Sequence, residues 1–249
     1  MRIYVGCAGW TLRRDRKDSF PATGTHLERY SQRFNCVEVN SSFYRSHQTK
    51  TYQRWAESTP SNFQFSVKLP KQITHVQRLI DVETLIAQFA TEIHGLGEKL
   101  GPVLVQLPPS LKFNLPLATN FFGALRSTFD TPLVCEPRHP SWFDIEAEIL
   151  LREYSIGRVA ADPVVVPEAA SPGGCKDSPY FRLHGSPRVY YSAYSATALE
   201  QMTSQILEIS EAGGVVWCIF DNTAEGAALD NALEVNRRLV VDRRVCSDR

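Results

Sequence analysis

Short runs of β-branched and other apolar residues alternate along the chain with longer amphipathic stretches. Eight such runs cover residues 3–7, 36–40, 63–68, 103–107, 133–136, 157–161, 180–184 and 215–220. Helix-like spacing of apolar residues covers 25–34, 49–57, 81–100, 115–126, 145–154, 196–212 and 224–239. Strands that alternate with helices favour parallel βαβ units over hairpins. The pattern therefore predicts an α/β protein.

Eight strand–helix units in 249 residues match the usual size of a (β/α)8 TIM-type barrel, so we expect one such domain over 1–249. The runner-up is a doubly wound open sheet, which usually carries a Gly-rich first turn; residues 6–9 read Gly-Cys-Ala-Gly and do not form that motif. Residues 162–179 are rich in Pro, Gly, Ser and Ala and have no helical period. The barrel should therefore be irregular around its sixth unit, where a lid or a plain connector replaces the helix. Gly101-Pro102 should end the third helix before the fourth strand.

Composition excludes several classes of protein. The 27 basic and 27 acidic side chains cancel, so no global charge attracts nucleic acid or anionic lipid. The run 215–220 is far too short to span a bilayer, and residues 1–10 do not resemble a secretory signal. The six cysteines lack a CxxC or zinc spacing and suggest free thiols. We expect a cytoplasmic protein with no membrane partner; the pattern selects no oligomeric state.

Charged residues inside the strands fall mainly on one face and near the carboxyl ends. Side chains alternate between the two faces of a strand, and the helix layer requires the apolar face. The polar face should therefore point to the barrel interior, at the end where barrel enzymes place their active sites. The charged residues expected there are Glu38, Lys68, Glu136, Arg138, Asp162, Arg182, His184 and Asp221.

These residue types fit a site for an anionic small molecule. Lys68, Arg138 and Arg182 match phosphate or carboxylate oxygens, and crowded carboxylates are suited to proton transfer. The candidate catalytic residues are Glu38, Glu136 and Asp162. The candidate substrate-binding residues are Asn40, Tyr44, Lys68, Gln106, Arg138, Trp142, Arg182, His184, Tyr190, Tyr194 and Asn222. The alternative is an ion-pair lattice that only closes the barrel. The basic run at 13–17 is typical of a solvated loop, although it could also attract an anionic substrate.

Three further functions stay open. No cofactor motif is evident, but a divalent metal is possible at Glu38, Glu136, Asp162 and His184, with His75 and His139 nearby, although the basic side chains compete as counter-ions. Aromatic residues beside Arg45 and Arg188 could stack nucleic-acid bases, which we consider less favoured at zero net charge. A non-catalytic ligand-binding or interaction protein is the third alternative.

Motifs at nearly every predicted strand exit carry a resemblance to a known family. They are GCAGW at 6–10, VEVNSSFYR at 37–45, FQFSVKLPKQITH at 63–75, VLVQLPPSL at 103–111, CEPRHPSWF at 135–143, ADP at 161–163, YFRLHGSPRVYYSAYS at 180–195 and FDNTAEGAALDNA at 220–232. The sequence resembles the YecE-like family, domain-of-unknown-function family 72. The resemblance implies a TIM-barrel-like fold and no established activity. Asp221 departs from the family pattern, which commonly has Asn there.

Overall fold

The computed structural model describes residues 2–13 and 18–247, with only the backbone described for 241–247. The strands are β1 (Arg2–Cys7), β2 (Cys36–Val39), β3 (Gln64–Lys68), β4 (Leu100–Gln106), β5 (Leu133–Glu136), β6 (Ile156–Arg158), β7 (Ala160–Asp162), β8 (Gly173–Gly174), β9 (Tyr180–Leu183) and β10 (Val215–Phe220). The helices are α1 (His26–Ser31), α2 (Thr49–Glu57), α3 (Glu83–Ile93), α4 (Leu115–Thr128), α5 (Ile145–Glu153), α6 (Ala196–Glu211) and α7 (Ala227–Ser247). Short 3-10 or π turns cover Ser41–Phe43, Gln72–Val76, His94–Lys99, Pro140–Phe143 and Pro167–Ala170. The expected alternation of strands and helices is confirmed.

The strands form two sheets whose neighbouring strands run parallel, apart from the β6–β8 pair. One sheet has the order β1-β10-β9-β7 and the other β2-β3-β4-β5-β6-β8. Val159 alone separates β6 from β7, so one extended segment contributes to both sheets. A parallel bridge joins Ala8, just beyond β1, to Glu38 of β2, and the Gly9 amide donates to the Glu38 carbonyl at 2.9 Å. The fold is therefore mixed α/β with the parallel strands that the sequence predicts.

The alternation of side chains along the strands divides the core into two layers. The larger layer lies between the strands and the helices and contains Val37, Val39, Phe65, Phe181 and Phe220. The smaller layer lies on the opposite, inner face of the strands and comprises Ala8, Cys36, Leu104, Val134, Val159, Tyr180, Trp217 and Ile219. Tyr180 reaches Ser66 of the other sheet with an oxygen–oxygen distance of 2.9 Å, so the inner faces of the two sheets meet.

The segment after β7 takes the place of the sixth helix, as expected. It contains only a 3-10 turn and β8, which pairs antiparallel with β6. The Arg158 guanidinium holds it by donating to the Glu168 carbonyl at 3.0 Å, and Glu148 accepts from the Gly174 amide at 2.7 Å. The segment is thus attached to β6 by strand pairing at Gly157 and Arg158 and by these two hydrogen bonds.

Gly101 and Pro102 do not precede the fourth strand as expected, because β4 begins at Leu100. Gly101 is required inside the strand, since a Cβ atom there would lie 2.7 Å from the Trp217 ring. That ring cannot move easily, because it is stacked on Tyr4 at a centroid distance of 4.5 Å and on Tyr180 at 6.1 Å.

We expect Gly101→Ala to lower the free energy of unfolding by about 1–3 kcal/mol through overpacking against Trp217. The matched control is Gly123→Ala inside α4, where the new Cβ meets Tyr154 at an ordinary 3.5 Å. Its helix propensity should stabilise the protein by up to about 1 kcal/mol. Urea unfolding of the two variants measures both effects, and equal stabilities would contradict the packing argument.

Two further predictions from the sequence concern the state of the cysteines and the absence of a membrane-spanning segment. Cys7, Cys36, Cys135, Cys175 and Cys218 are free thiols, and the side chain of Cys246 lies outside the described part. Of the helices that the structure describes, none has the length and apolar character needed to cross a bilayer. Most of the basic run at 13–17 also falls outside the described residues.

Candidate functional site

Arg182 of β9 is the centre of a cluster of charged side chains on the inner face, at the carboxyl ends of the strands. Its Nε lies 3.0 Å from Glu38 Oε2 and its Nη2 lies 2.8 Å from Glu38 Oε1. Nη1 is 3.2 Å from Glu136 Oε2, and Nη2 is 3.0 Å from Asp221 Oδ2. One guanidinium therefore joins carboxylates from β2, β5 and the end of β10. Arg182, Glu38 and Glu136 have no solvent-exposed area, and Asp221 is nearly buried.

His184 lies between two of the same carboxylates. Its Nε2 is 2.9 Å from Glu136 Oε1 and its Nδ1 is 3.0 Å from Asp221 Oδ2. An imidazolium donates through both nitrogens, whereas neutral imidazole has a single N–H. The geometry therefore fits the protonated form.

Uncharged side chains donate further hydrogen bonds to the same carboxylate oxygens. The Tyr180 hydroxyl donates to Glu38 Oε2 at 2.9 Å. The Gln106 amide donates to Glu136 Oε1 and Oε2 at 3.1 and 3.2 Å. Because all of these partners are buried, hydrogen bonds within the protein replace the water that the charged groups lose on burial, as a buried ionic cluster requires. We call Glu38, Glu136, Arg182, His184 and Asp221 the buried network.

The charges hold each other's pKa values away from their ordinary ranges. Burial alone would raise the pKa of Glu136, but His184 and Arg182 hold it well below 4.5. Asp221 is lowered in pKa in the same way, mainly by Arg182 against the opposing effect of burial. Burial opposes the charged form of His184, yet Glu136 and Asp221 raise its pKa above 6.5. Glu136, Asp221 and Arg182 are therefore charged at neutral pH, and the two carboxylates favour the charged form of His184.

Lys68, the last residue of β3, and Arg138, two residues beyond β5, are two cations beside this network. They lie on its side toward the carboxyl ends of the strands, which we call the outer side of the network. Among the described residues no carboxylate lies within 4.0 Å of Lys68 Nζ, which instead lies 3.9 Å above the centre of the Phe43 ring. Arg138 Nη1 is 3.2 Å from Glu136 Oε1, but that nitrogen has no aligned hydrogen-bond partner. The Arg138 side chain is 15% exposed, whereas Glu136 is fully buried.

Two more of the predicted residues border this outer side. The Tyr190 ring packs edge-on against His184 at a centroid distance of 5.6 Å and is 44% exposed. Its backbone adopts φ 69°, a left-handed conformation that is uncommon outside glycine and is held here by the surrounding contacts. Asn40 follows β2, and its Oδ1 is buried without a hydrogen-bond donor.

The expected inward orientation of Asp162 is wrong. Ala160, two residues earlier on β7, packs in the outer layer, whereas Val159 packs in the inner one. Asp162 accordingly accepts from the Tyr194 hydroxyl at 2.7 Å, and that ring packs against outer-layer Phe220. Asp162 and Tyr194 thus form a pair of their own, apart from the buried network.

Other predicted binding residues also lie elsewhere. Trp142 is 1% exposed, and its Nε1 donates to the Leu111 carbonyl at 2.9 Å, so it fills the core rather than a pocket wall. Asn222 donates to Asn231 Oδ1 at 2.8 Å and is buried beside α7. Tyr44 is 66% exposed and lines a shallow groove with Arg45 and Lys71.

Sequence reasoning assigned no role to Tyr180, Ser66 or Asp221. Asp221 was expected at this end of the strands, and the alternation Trp217, Ile219, Asp221 agrees with its inner position, but no catalytic or binding role was assigned to it. Tyr180 shares the face of Arg182 and His184, but an aromatic residue in a strand is ordinarily part of the core, so the alternation alone does not indicate its hydrogen bond to a carboxylate. In the described part of the chain, no three His, Cys, Asp or Glu side chains form a group that could hold a metal ion.

Comparison with known protein families shows which family this chain belongs to. A family model described as protein of unknown function DUF72 matches residues 4–248. The chain belongs to the DUF72 family. The similar curated proteins include the UPF0759 protein YecE of Escherichia coli K12, 32% identical over 143 residues, 57% of this chain. That match spans only 50% of YecE. The UPF0759 protein YunF of Bacillus subtilis is 24% identical over 96% of this chain and 95% of its own length.

Solved DUF72 structures share the fold. A DUF72 family protein from Thermotoga maritima superposes with a TM-score of 0.79 at 26% identity, covering 96% of this chain and 99% of its own. One from Enterococcus faecalis gives 0.79 at 21% identity, covering 95% of each chain. The expected family is therefore confirmed, and its function is uncharacterised.

Proposed function

We propose that this DUF72 protein is an enzyme that binds an anionic small molecule, bearing a phosphate or a carboxylate, at the outer side of the buried network. The observation that carries the proposal is the pair of cations, Lys68 and Arg138, that face this side without a hydrogen-bonded carboxylate. A ligand anion would supply the missing acceptor, and each charge-assisted hydrogen bond contributes about 1.5–3 kcal/mol.

The chemistry best suited to this arrangement is proton transfer. Burial, with the Arg182 charge as the next cause, lowers the pKa of Lys68 from 10.5 to about 8. A base with a pKa near neutrality is the most effective general acid–base catalyst. Glu136 remains the candidate carboxylate next to the binding cations, whereas Glu38 is fully engaged by Arg182 and Tyr180 and acts as a positioning residue.

A closed barrel would give this site its shape. We propose that the two sheets close into one (β/α)8 barrel. The Ala8–Glu38 bridge supports this at one junction, and the continuous segment from β6 through Val159 to β7 supports it at the other. The buried network would then fill the carboxyl end of the barrel, where barrel enzymes carry their catalytic residues.

Replacing Arg138 tests anion binding. We expect Arg138→Gln to weaken the binding of inorganic phosphate or oxalate by about 10- to 150-fold, which is the loss of one charge-assisted hydrogen bond. Isothermal titration calorimetry at low and moderate salt measures the dissociation constants. The control is Arg152→Gln on α5, whose side chain is 58% exposed. Equal affinities for the two variants and the parent would overturn the proposal.

A labelled single-stranded oligonucleotide is the third probe in the same titration. Stacking surfaces for bases are limited, because Trp142 is buried and Arg188 covers the Tyr191 ring at 3.7 Å. We expect oligonucleotide binding to be weak and insensitive to Arg138. Tight binding that Arg138→Gln abolishes would replace the small-molecule proposal with a nucleic-acid one.

A further inference from the structure

Lys68 occupies an unusual position for a buried lysine. It is the last residue of β3 and only 4% exposed, and Ser42 fixes its backbone by donating to the Lys68 carbonyl at 2.6 Å. The head group rests on Phe43 instead of a carboxylate. A lysine that only neutralised buried charge would be expected to pair directly with one of the nearby acids.

Carboxylates attract Lys68 from a distance rather than by contact. Glu38, Glu136 and Asp221 favour its charged form, while Arg182 opposes it. His75 also packs edge-on against the Phe43 ring, at a centroid distance of 4.9 Å. The amine is therefore held in one place and is partly neutral at physiological pH. No carboxylate accepts a hydrogen bond from it, so the lone pair of the neutral form is free to react. These are the properties of a lysine that acts as a nucleophile.

We propose, building on the anion site above, that Lys68 forms an imine with an aldehyde or ketone that also carries a carboxylate or phosphate group. Arg138 binds the anionic group, and the carbonyl carbon is presented to Nζ. Asn40 directly follows Val39, which pairs with Val67 next to Lys68, and its unpartnered Oδ1 is available to accept a hydrogen bond from the hydroxyl of the first adduct.

The reaction balances without an oxidant or a reductant. Neutral Nζ adds to the carbonyl carbon to form the C–N bond of a carbinolamine. The hydroxyl of that adduct leaves as water, and with one proton taken up the product is an iminium ion. The iminium has the same charge as the ammonium it replaces, so the three nearby carboxylates stabilise it in the same way. Electron withdrawal by the iminium then favours loss of a proton or cleavage of a bond at the adjacent carbon.

Reductive trapping tests this inference. The protein is incubated near pH 7 with sodium cyanoborohydride and one of three probes: glyoxylate, dihydroxyacetone phosphate, or uncharged glycolaldehyde. Peptide mass spectrometry then measures labelling of each lysine. Lys71, three residues further along and exposed, is the internal control, and Lys68→Met and Lys71→Met are the matched variants.

We expect the two anionic probes to label Lys68 at least tenfold faster than Lys71, and glycolaldehyde to show a clearly smaller preference, because it gains from the neutral amine but not from Arg138. A shift in pKa from 10.5 to about 8 increases the neutral fraction about 300-fold at pH 7, and part of that gain is offset by lower intrinsic reactivity. If Lys68 is labelled no faster than Lys71, the imine is overturned. Phosphate binding that depends on Arg138 would in that case still support the anion site. Preferential labelling by all three probes alike would keep the nucleophile but exclude the anionic substrate class and the anion site together.

Discussion

Arg182→Met should lower the free energy of unfolding by about 3–5 kcal/mol, the usual cost of removing one partner from a buried ionic group. Arg182 contacts three carboxylates and has no exposed area, and its own pKa is raised well above its ordinary value because Asp221, Glu38 and Glu136 outweigh the effect of burial. Methionine fills a similar volume but leaves Glu38 with only the Tyr180 hydroxyl as a donor. Urea unfolding at neutral pH measures the loss.

Two variants separate this network effect from a general effect of losing an arginine. Arg152→Met removes an exposed i,i+4 ion pair on α5, and it should cost less than about 0.5 kcal/mol. Arg182→Lys keeps the charge but loses the planar fork that joins three acids, so its stability should lie between that of the parent and that of Arg182→Met. A loss below about 1 kcal/mol for Arg182→Met would show that the carboxylates are solvated or protonated instead of paired.

The strand alternation was sufficient to place most of the buried network. Glu38, Lys68, Glu136, Arg182 and His184 share the polar face of strands whose other face is uniformly apolar, so the helix layer leaves them only the inner face. The partners themselves could not be predicted. Tyr180 and Glu38 are 142 positions apart, and a hydrogen bond over that separation depends on how the two sheets meet.

The same rule failed at β6 and β7 for a physical reason. Arg158 and Asp162 lie on the outer face, which elsewhere is apolar because helices cover it. Here a polar segment replaces the sixth helix and supplies backbone carbonyls to Arg158. The missing helix that the sequence predicts explains this orientation, because without an apolar covering layer the polar face of a strand no longer has to point inward. Trp142 shows a related limit, since an aromatic residue after a strand can complete the core as readily as line a pocket.

Stability should pass through a maximum as pH changes, because groups of the buried network titrate with opposite signs. Glu136 and Asp221 have folded pKa values below their ordinary values of 4.5 and 3.8, so their contribution is present above those values and is lost as pH falls through the folded pKa values. His184 has the opposite sign: its raised pKa gives stability that is complete below 6.5 and is lost as pH rises through the folded value. The two together predict a maximum between about pH 4.5 and 6.5.

Lys68 adds a third contribution with its own sign. Because its pKa is lowered to about 8, the unfolded chain binds more protons than the folded one between pH 8 and 10.5, so this group makes stability rise with pH there. Its sign is opposite to that of the loss from His184 on the alkaline side.

Single variants assign each side of the profile to a residue. In urea unfolding across the pH range, Glu136→Gln should flatten the acid side and His184→Gln the decline above pH 6.5. Lys68→Met should remove the alkaline rise and raise stability near neutrality, because a buried cation without a contacting carboxylate is a cost that methionine does not carry. A profile in which His184→Gln leaves the alkaline side unchanged would mean that His184 is neutral in the folded protein. Its two carboxylate contacts could then not both be hydrogen bonds, and Glu136 would lose the charge that holds its pKa low.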